Sequence, residues 1–324
     1  MMLCFKSCLA EEMKQFLHLL ELANRDTESY LYTLHSLDAF MMKHKILDKS
    51  LSEETLTAWL AERNISDKTR NYEISRVNVF GTFLHSFGID VYKMDHCKEA
   101  DTYKPYTFSD DEFKRIFVAA DNGSASYVKT ESQYIFPLVL RILFGTGMRI
   151  TEVFNLKWED VDFENGIIFI EIAKNDKQRK IPIAYSLTEI MRAYKCRRLK
   201  DYPEDKYMFT NHERTEAPYR YAAFNYWFCK VLRSAGIENS RTKPFERVIS
   251  THVIRHNFTF RSFKKALQED RSLEESMPYL SAYLGHNSLY GTEKYLTTDY
   301  TLYTRSHEIV NSSVADVFPE VRFE

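Results

Sequence analysis

One polar segment, CKEADTYKPY at residues 97–106, interrupts the helical pattern of this chain and constrains its fold more than any other stretch. The segment contains Pro105 and has no apolar period, whereas apolar residues recur at three- and four-residue spacing on both sides of it. A chain of 324 residues is long enough for two hydrophobic cores. We therefore predict a linker near residues 100–108 and two domains, residues 1–103 and 104–324.

Four amphipathic helices are predicted for the first domain. Their apolar residues fall on one face at the helical period, in residues 9–24, 28–45, 52–63 and 66–88. Ser52 and Ser66 each precede a polar first turn, so both are predicted N-caps, and Gly88 is predicted to end the fourth helix. These short helices predict a small helical bundle.

The second domain is predicted to be mainly α with a small β-sheet. It begins with a helix capped by Ser109, and an apolar helix at residues 133–147 is closed by a glycine. A further helix is predicted at residues 149–161. Two Ile-rich segments, GIIFIEIA and KIPIA, then predict a pair of strands joined by a basic loop. Helical patterns follow almost to the end of the chain.

Composition and cysteine usage exclude several classes of protein. No run approaches the roughly 18 apolar residues of a membrane span, and the start MMLCF lacks the basic region of a signal peptide. The five cysteines are scattered and form no CxxC pair, which favours reduced thiols over a disulfide framework or a zinc site. We therefore predict a cytoplasmic protein that binds no metal and no membrane.

The net charge of −2 does not by itself support a nucleic-acid partner. However, four basic runs lie in the last two-thirds of the chain: KNDKQRK (174–180), RAYKCRRLK (192–200), RTKPFER (241–247) and RSFKK (261–265). Each run alone is typical of a solvated helix or loop. Together they could form one basic surface.

Four segments of the second domain carry side chains suited to phosphate chemistry. They are GTGMRITE, AKNDKQRKIPI, THVIRH and LGHNSLYGTEKYL, and they contribute Arg149, Lys174, His252, Arg255, His286 and Tyr295. Two guanidiniums can clamp the non-bridging oxygens of a phosphodiester and stabilise the charge of the transition state. A phenol can attack phosphorus, a lysine can protonate the leaving oxygen, and an imidazole can bond phosphate or accept the phenol's proton. Cations take the part that metal ions play elsewhere, so no cofactor is expected.

These segments closely resemble the tyrosine recombinase (phage integrase) family. The family pattern is an Arg in TGxRxxE, a Lys in a β-hairpin before R-x-[VI]-P, a HxxR pair, and LGH followed nine residues later by the nucleophilic Tyr. The matching residues here, in the same order, are Arg149 with Glu152, Lys174, His252 with Arg255, and His286 with Tyr295. The resemblance covers residues 105–300, and the first four helices are similar to the family's SAM-like core-binding domain.

The resemblance implies a site-specific recombinase with an α+β catalytic domain. It would cleave double-stranded DNA through a 3′-phosphotyrosine link, without metal or ATP. A monomer in solution would assemble as a homotetramer on two synapsed DNA sites. Integration or excision of a mobile element is the role that we favour from the sequence.

Several assignments stay open at this stage. Lys177 is an alternative to Lys174 as the general acid, and Tyr290 is a rival nucleophile within SLYG. Arg149 and Glu152 could form a purely structural ion pair. His256 is four residues after His252, the spacing of a zinc helix, but no third ligand is evident, so we assign it to packing or support.

Several basic residues other than the six catalytic candidates are candidates for DNA contacts. Candidate DNA-binding residues are Lys68, Arg70 and Arg76 in the first domain and Lys177 and Arg179 in the second. Alternatively, each of these side chains is an exposed, solvated charge that does not bind DNA. Rival functions are a type IB topoisomerase, which would relax supercoiled DNA regardless of sequence, and a non-catalytic DNA-binding relative. Retention of all six residues argues against the second rival.

Overall fold

Two compact units make up the chain. The computed structural model describes residues 4–98, 105–122, 131–170, 178–212, 217–241, 245–269 and 271–285. The first unit comprises Met1–Thr102 with Lys243–Phe245, and the second comprises Tyr103–Thr242 with Glu246–Glu324. Their division falls next to the boundary that the linker composition predicts at residues 103 and 104. In the described ranges, no helix combines the length and apolarity needed to cross a membrane.

The first unit contains the four predicted helices: α1 Ala10–Leu22, α2 Glu28–Lys43, α3 Glu53–Ala61 and α4 Asp67–His85. Ser52 and Ser66 cap α3 and α4 as expected, because each hydroxyl accepts a bond from the backbone N–H three residues later. Gly88 lies beyond the end of α4 with φ 75°, where its N–H donates to the carbonyl of His85. The apolar faces of the helices enclose one core, which includes Trp59 and Phe80.

The second unit is also mainly helical. Its helices are α5 Asp110–Asp121, α6 Ser132–Thr146, α7 Ile150–Phe154, α8 Tyr185–Asp201, α9 Tyr221–Ser234, α10 His252–Gln268 and α11 Leu273–Leu284. Ser109 caps α5 in a capping box with Glu112, as its sequence predicts. Most of these helices enclose one core, in which α10 packs against α6, and a smaller cluster around Phe263 and Leu273 joins α10 to α11.

Two small antiparallel sheets accompany the helices of the second unit. Strands β1 Val161–Asp162, β2 Ile167–Ile170 and β3 Arg179–Pro182 form the first sheet in that order, and β4 Thr210–Asn211 pairs with β5 Ala217–Pro218. The predicted Ile-rich pair is confirmed as β2 and β3, with Ile168 opposite Ile181. Strand β3 also contacts α11, so one end of this hairpin lies beside the last described helix.

The helix predicted at residues 149–161 is wrong in its extent. Helix α7 ends at Phe154, and only a single 3₁₀ turn follows at Trp158–Asp160. Between them the backbone pairs with a distant segment: the Met208 N–H donates to the Leu156 carbonyl at 2.9 Å, and the Trp158 N–H donates to Lys206. These long-range backbone bonds replace the local bonds of a longer helix.

Candidate active site

The turn between α6 and α7 determines where Arg149 lies. Gly147 ends α6 in the left-handed conformation, with φ 61°. A Cβ atom at this position would lie 2.4 Å from the ring of Phe258 on α10, closer than any non-bonded contact allows. Glycine is therefore required for both backbone conformation and space. Two residues later, Arg149 has an extended backbone and immediately precedes α7.

Arg149 is held by the carboxylate of Glu152. Its backbone N–H donates to Oε2 at 2.9 Å, and its Nη1 donates to Oε1 at 2.8 Å. The ion pair considered as an alternative for these residues is thus present. It does not use the whole guanidinium, because Nη2 donates to the carbonyl of Gly285 at 3.3 Å and 23% of the side chain is exposed. Arg149 is anchored and still open on one side.

Arg255 lies one turn into α10 and is only 2% exposed. Its Nη1 donates to the carbonyl of Gly147 at 2.8 Å, and its Nη2 donates to the carbonyl of Leu284 at 2.7 Å. The guanidinium therefore bonds both the end of α6 and the end of α11. Charge-assisted bonds of this kind are about twice as strong as neutral ones. They fix the two helix ends relative to each other.

His252 begins α10 close to these arginines. Burial, followed by the positive charges of Arg255, Arg149 and Arg247, lowers the pKa of His252 to about 4. The residue is nevertheless exposed at the surface, so water moderates the effect of burial and the three cations are the firmer reason for the direction. Because the pKa is lowered, the imidazole is neutral at pH 7. A neutral imidazole can donate one hydrogen bond and accept a proton at its other nitrogen.

The two histidines of α10 do not form a metal site with their described surroundings. The rings of His252 and His256 meet edge to face with centroids 4.9 Å apart. Throughout the described ranges, no three His, Cys, Asp or Glu side chains group closely enough to hold a metal ion. The packing or supporting role of His256 stays a prediction.

Glu152 joins two arginines from different elements. Besides Arg149, it accepts a bond from Nη2 of Arg179 on β3, at 2.7 Å. Burial would raise the pKa of Glu152, but the bonds and charges of Arg179 and Arg149 outweigh it and hold the pKa below its ordinary value. The carboxylate is therefore ionised at neutral pH and acts as a fixed acceptor.

Four of the predicted site residues lie outside the described residues: Lys174, Lys177, His286 and Tyr295. The rival tyrosine, Tyr290, lies outside them as well. The last described residue of the LGH motif is Gly285, which ends α11 with φ 67°. Arg149 and Arg255 donate to the carbonyls of Gly285 and Leu284, so both guanidiniums meet the chain directly before His286. Of the six catalytic candidates, the described structure brings Arg149, His252 and Arg255 together.

Other residues of the site carry no motif in the sequence. Phe258 and Tyr283 stack with ring centroids 5.6 Å apart beside the Gly147 turn, and burial raises the pKa of Tyr283 to about 12 against the charges of Arg179 and Arg255. The phenol of Tyr283 is therefore neutral and suited to packing.

Asn257 accepts a hydrogen bond from the Phe108 N–H at 2.7 Å and donates one to the Tyr106 carbonyl. These bonds connect the start of the second unit to α10. The only sequence signal for these contacts is the helical spacing of the apolar residues of α10, which predicts a buried face.

The three DNA-binding candidates of the first unit all lie on α4, but their surroundings differ. Lys68 is exposed, whereas Arg70 and Arg76 are half-buried. Arg76 lies 6.0 Å from the ring centre of Tyr72 and donates to the hydroxyl of Thr33 at 3.4 Å. Lys68 is thus the candidate most open to a phosphate.

Two arginines of the basic runs are buried and do not add charge to the surface. Arg198 is 5% exposed and pairs with Asp205 at 2.9 Å and Glu131 at 3.0 Å. The side chain of Arg179 is 7% exposed and pairs with Glu152. Arg179 therefore does not present a free cation to DNA, in contrast to its predicted role. A guanidinium buried against a carboxylate is not available to bind a phosphate.

The fold is that of the tyrosine recombinases. The structure is similar to that of the XerH site-specific recombinase bound to palindromic difH substrate in a post-cleavage complex, with a TM-score of 0.66 and 17% sequence identity. The similarity covers 88% of this chain and 80% of that one. At this level of identity it is the fold that is shared.

Sequence comparison identifies the family. The profile of the phage integrase family matches residues 107–301, which is more than half of the chain, so the chain belongs to that family. It is 30% identical over 162 residues to the tyrosine recombinase XerA of Pyrococcus furiosus, covering 49% of this chain and 48% of that protein. It is 27% identical over 197 residues to the tyrosine recombinase XerD of Listeria innocua, covering 59% and 57%. The chain thus spans about half the length of these curated relatives.

Proposed function

We propose that this chain is a site-specific DNA recombinase that cleaves and rejoins strands through a 3′-phosphotyrosine intermediate at Tyr295. The observation that carries the proposal is the convergence of Arg149 and Arg255 on the end of α11. Their guanidiniums donate to consecutive carbonyls, Gly285 and Leu284, at the start of the segment that carries His286 and Tyr295. Two cations at this position suit a phosphodiester.

The proposed cleavage step conserves the number of ester bonds. The Tyr295 oxygen attacks phosphorus, the bond from phosphorus to the 5′-oxygen breaks, and the 3′-phosphate becomes an ester of the phenol. The leaving 5′-oxygen takes a proton from Lys174, and the phenol's proton passes to a neutral imidazole, for which His252 is suited by its lowered pKa. A 5′-hydroxyl from the partner strand reverses these steps. The energy of the broken bond is kept, so ATP is not needed.

Charge stabilisation falls to the arginines in this proposal. The pentavalent transition state carries more negative charge on its non-bridging oxygens than the diester does, and fixed guanidiniums favour it selectively. Arg149 is the more accessible of the two and would contact an oxygen directly. Arg255 is buried and would act from the floor of the site. His286 would add a bond to the same phosphate.

The partner in this proposal is double-stranded DNA that carries specific recombination sites. The XerH protein of similar fold is bound to its difH substrate. We further propose that four protomers assemble on two synapsed sites, that the free protein is a monomer, and that the biological role is integration or excision of a mobile element. Residues 1–103 would act as the core-binding domain, with Lys68 of α4 as a phosphate contact. A DNA substrate agrees with the cytoplasmic location that the sequence predicts.

Capture of the covalent adduct tests the proposal. DNA fragments incubated with the protein are recovered with it under denaturing conditions and sequenced, and a nicked duplex carrying the recovered site is then used to trap the adduct. We expect trapping by the wild-type protein and none by Tyr295→Phe. Tyr290→Phe is the matched control and should trap normally. As much adduct from Tyr295→Phe as from the wild type would contradict the proposal, and relaxation of plasmid regardless of sequence would indicate a topoisomerase.

The same trapping reaction distinguishes the two candidate general acids. Lys174→Ala is expected to slow cleavage of an ordinary diester. A 5′-bridging phosphorothiolate has a leaving group that needs no proton, so it should restore much of the rate. Rescue of Lys177→Ala instead would transfer the role to Lys177.

A further inference from the structure

Arg179 is a buried cation at the start of β3. Its side chain is 7% exposed, and its Nη2 donates to Oε2 of Glu152 at 2.7 Å, where the carboxylate is itself 5% exposed. Among the described residues, the Nε and Nη1 atoms of Arg179 are buried without an acceptor. Burial of an ion pair costs several kcal/mol of desolvation per ion. A buried position paired with a buried carboxylate is not that of a solvated surface charge.

Glu152 links Arg179 to Arg149. Its Oε2 accepts bonds from Nη2 of Arg179 and from the backbone N–H of Arg149, and its Oε1 accepts the Nη1 of Arg149 at 2.8 Å. Oε2 is therefore shared by Arg149, just before α7, and Arg179 on β3, whereas Oε1 accepts from Arg149 alone. With both ends bonded, the carboxylate cannot rotate without breaking at least one bond. Arg149 and Arg179 are thus coupled through one carboxylate.

Arg179 also lies against the turn that ends α11. A Cβ atom placed on Gly285 would be 3.0 Å from Nη1 of Arg179 and 3.3 Å from its central carbon. The carbonyl of the same glycine accepts from Nη2 of Arg149 at 3.3 Å. Arg179 therefore lies close to the chain directly before His286.

We propose that Arg179 is a positioning residue for DNA cleavage: it orients Arg149 through Glu152 and supports the Gly285 turn that leads to His286 and Tyr295. The inference rests on the proposed function and replaces the direct DNA contact expected from the sequence. Loss of the Arg179 bond leaves Glu152 held from one side only. Misplacement of a catalytic group by about 1 Å can cost on the order of 100-fold in rate.

The test measures cleavage and DNA affinity separately, on the full chain with a nicked duplex that carries the target site. Arg179→Met removes the guanidinium and keeps an unbranched side chain. We expect its single-turnover rate at saturating DNA to fall by roughly 10- to 100-fold. The Kd for DNA and its dependence on salt should stay near the wild-type values, because Arg179 itself makes no phosphate contact in this proposal.

Lys180→Met is the matched control for charge. Lys180 is the next residue of β3, and it is exposed. Its substitution removes the same charge from the same strand without touching Glu152. We expect wild-type cleavage at saturating DNA from this variant, and any effect should be on Kd. Arg179→Lys should recover part of the lost rate, because an ammonium can still bond Glu152.

A methylphosphonate at the cleaved position separates positioning from a general folding defect. This diester has no anionic non-bridging oxygen, so it depends less on the charge of Arg149. If Arg179 acts through Arg149, the deficits of Arg179→Met and Arg149→Ala should shrink together on this substrate. A folding defect would slow both substrates equally, which would overturn the inference.

A second variant serves if Arg179→Met does not fold. Glu152→Gln/Arg179→Gln removes both buried charges at once and should fold while cleaving as slowly as Arg149→Ala or somewhat faster. Wild-type cleavage by either variant would overturn this inference. DNA binding that is weaker and less salt-dependent, with a normal cleavage rate, would overturn it too. Neither result would contradict the proposed function. No adduct from the wild-type protein would overturn the proposed function and this inference with it.

Discussion

Each arginine of the candidate active site has a different set of partners, and these partners decide what it can offer to a phosphate. Arg255 is 2% exposed and bonds carbonyls at the ends of α6 and α11. Arg149 is 23% exposed and shares a carboxylate with Arg179, which is itself buried. The exposed fraction therefore rises from Arg255 through Arg179 to Arg149. Arg149 is the one whose loss should affect substrate charge most directly.

The lowered pKa of His252 can be measured directly. We expect the ring resonance of His252, assigned by its absence in His252→Gln, to titrate well below pH 6.5, with a midpoint near 4. Arg247→Gln removes one of the three cations and should raise that midpoint toward the ordinary value. A midpoint at or above 6.5 in the wild-type protein would contradict the assignment.

The same shift has a definite sign for stability. The pKa of His252 is lower in the folded chain than in the unfolded chain, so the unfolded state binds more protons between pH 6.5 and about 4. The contribution of His252 to stability is therefore fully present above pH 6.5 and is lost as the pH falls toward 4. Urea unfolding at pH 7 and pH 5 should show a smaller loss for His252→Gln than for the wild type.

At the scale of elements, the α6–α7 turn leaves the least room for an added Cβ among the glycines that the structure describes. Gly147→Ala would place a Cβ atom 2.4 Å from Phe258 in a backbone with φ 61°. The left-handed conformation costs roughly 1 kcal/mol for a residue with Cβ, and overpacking adds about 1–3 kcal/mol. We expect a loss of roughly 2–4 kcal/mol in the free energy of unfolding by urea.

Gly236→Ala is the matched control for this substitution. Gly236 lies in the same unit with φ 70°, but an added Cβ would meet only the end of the flexible Arg115 side chain, at 3.3 Å. It should lose roughly 1 kcal/mol, the cost of the backbone alone. Equal losses from both variants would mean that the contact with Phe258 does not matter.

Elements defined by local signals were predictable, and those defined by distant partners were not. The caps at Ser52, Ser66 and Ser109 depend on bonds to residues three positions away, so the sequence alone predicts them. The early end of α7 depends on backbone bonds to residues 206–208, which no local pattern reveals. The sequence placed Arg179 in the basic loop, whereas it is the first residue of β3, and spacing could not show that its side chain bonds Glu152.

For the whole molecule, the two units have separate hydrophobic cores. The cluster around Trp59 and Phe80 comprises residues of the first unit, and the cluster around Ile142 and Phe228 comprises residues of the second. The linker composition predicts a boundary at residues 103 and 104. The near-neutral net charge of −2 gave no comparable guide to function, because the charges that matter are arranged locally.

Separate cores predict separate local unfolding. Leu37→Ala in α2 and Ile142→Ala in α6 each remove a fully buried side chain and should cost about 2–5 kcal/mol. In hydrogen exchange of the full chain, we expect each variant to lose protection mainly in its own unit. Similar losses in both units from either variant would show that the two unfold as one.

The two glycines beside the arginines have a consequence for mutational tolerance. Gly147 and Gly285 both have positive φ, and a methyl group at either would touch Phe258 or Arg179. In a scan of every substitution selected for recombination, these positions should therefore be as intolerant as those whose side chains contact phosphate. Both glycines would then score as functional positions, although neither has a side chain, because the space beside them is filled by Phe258 and Arg179.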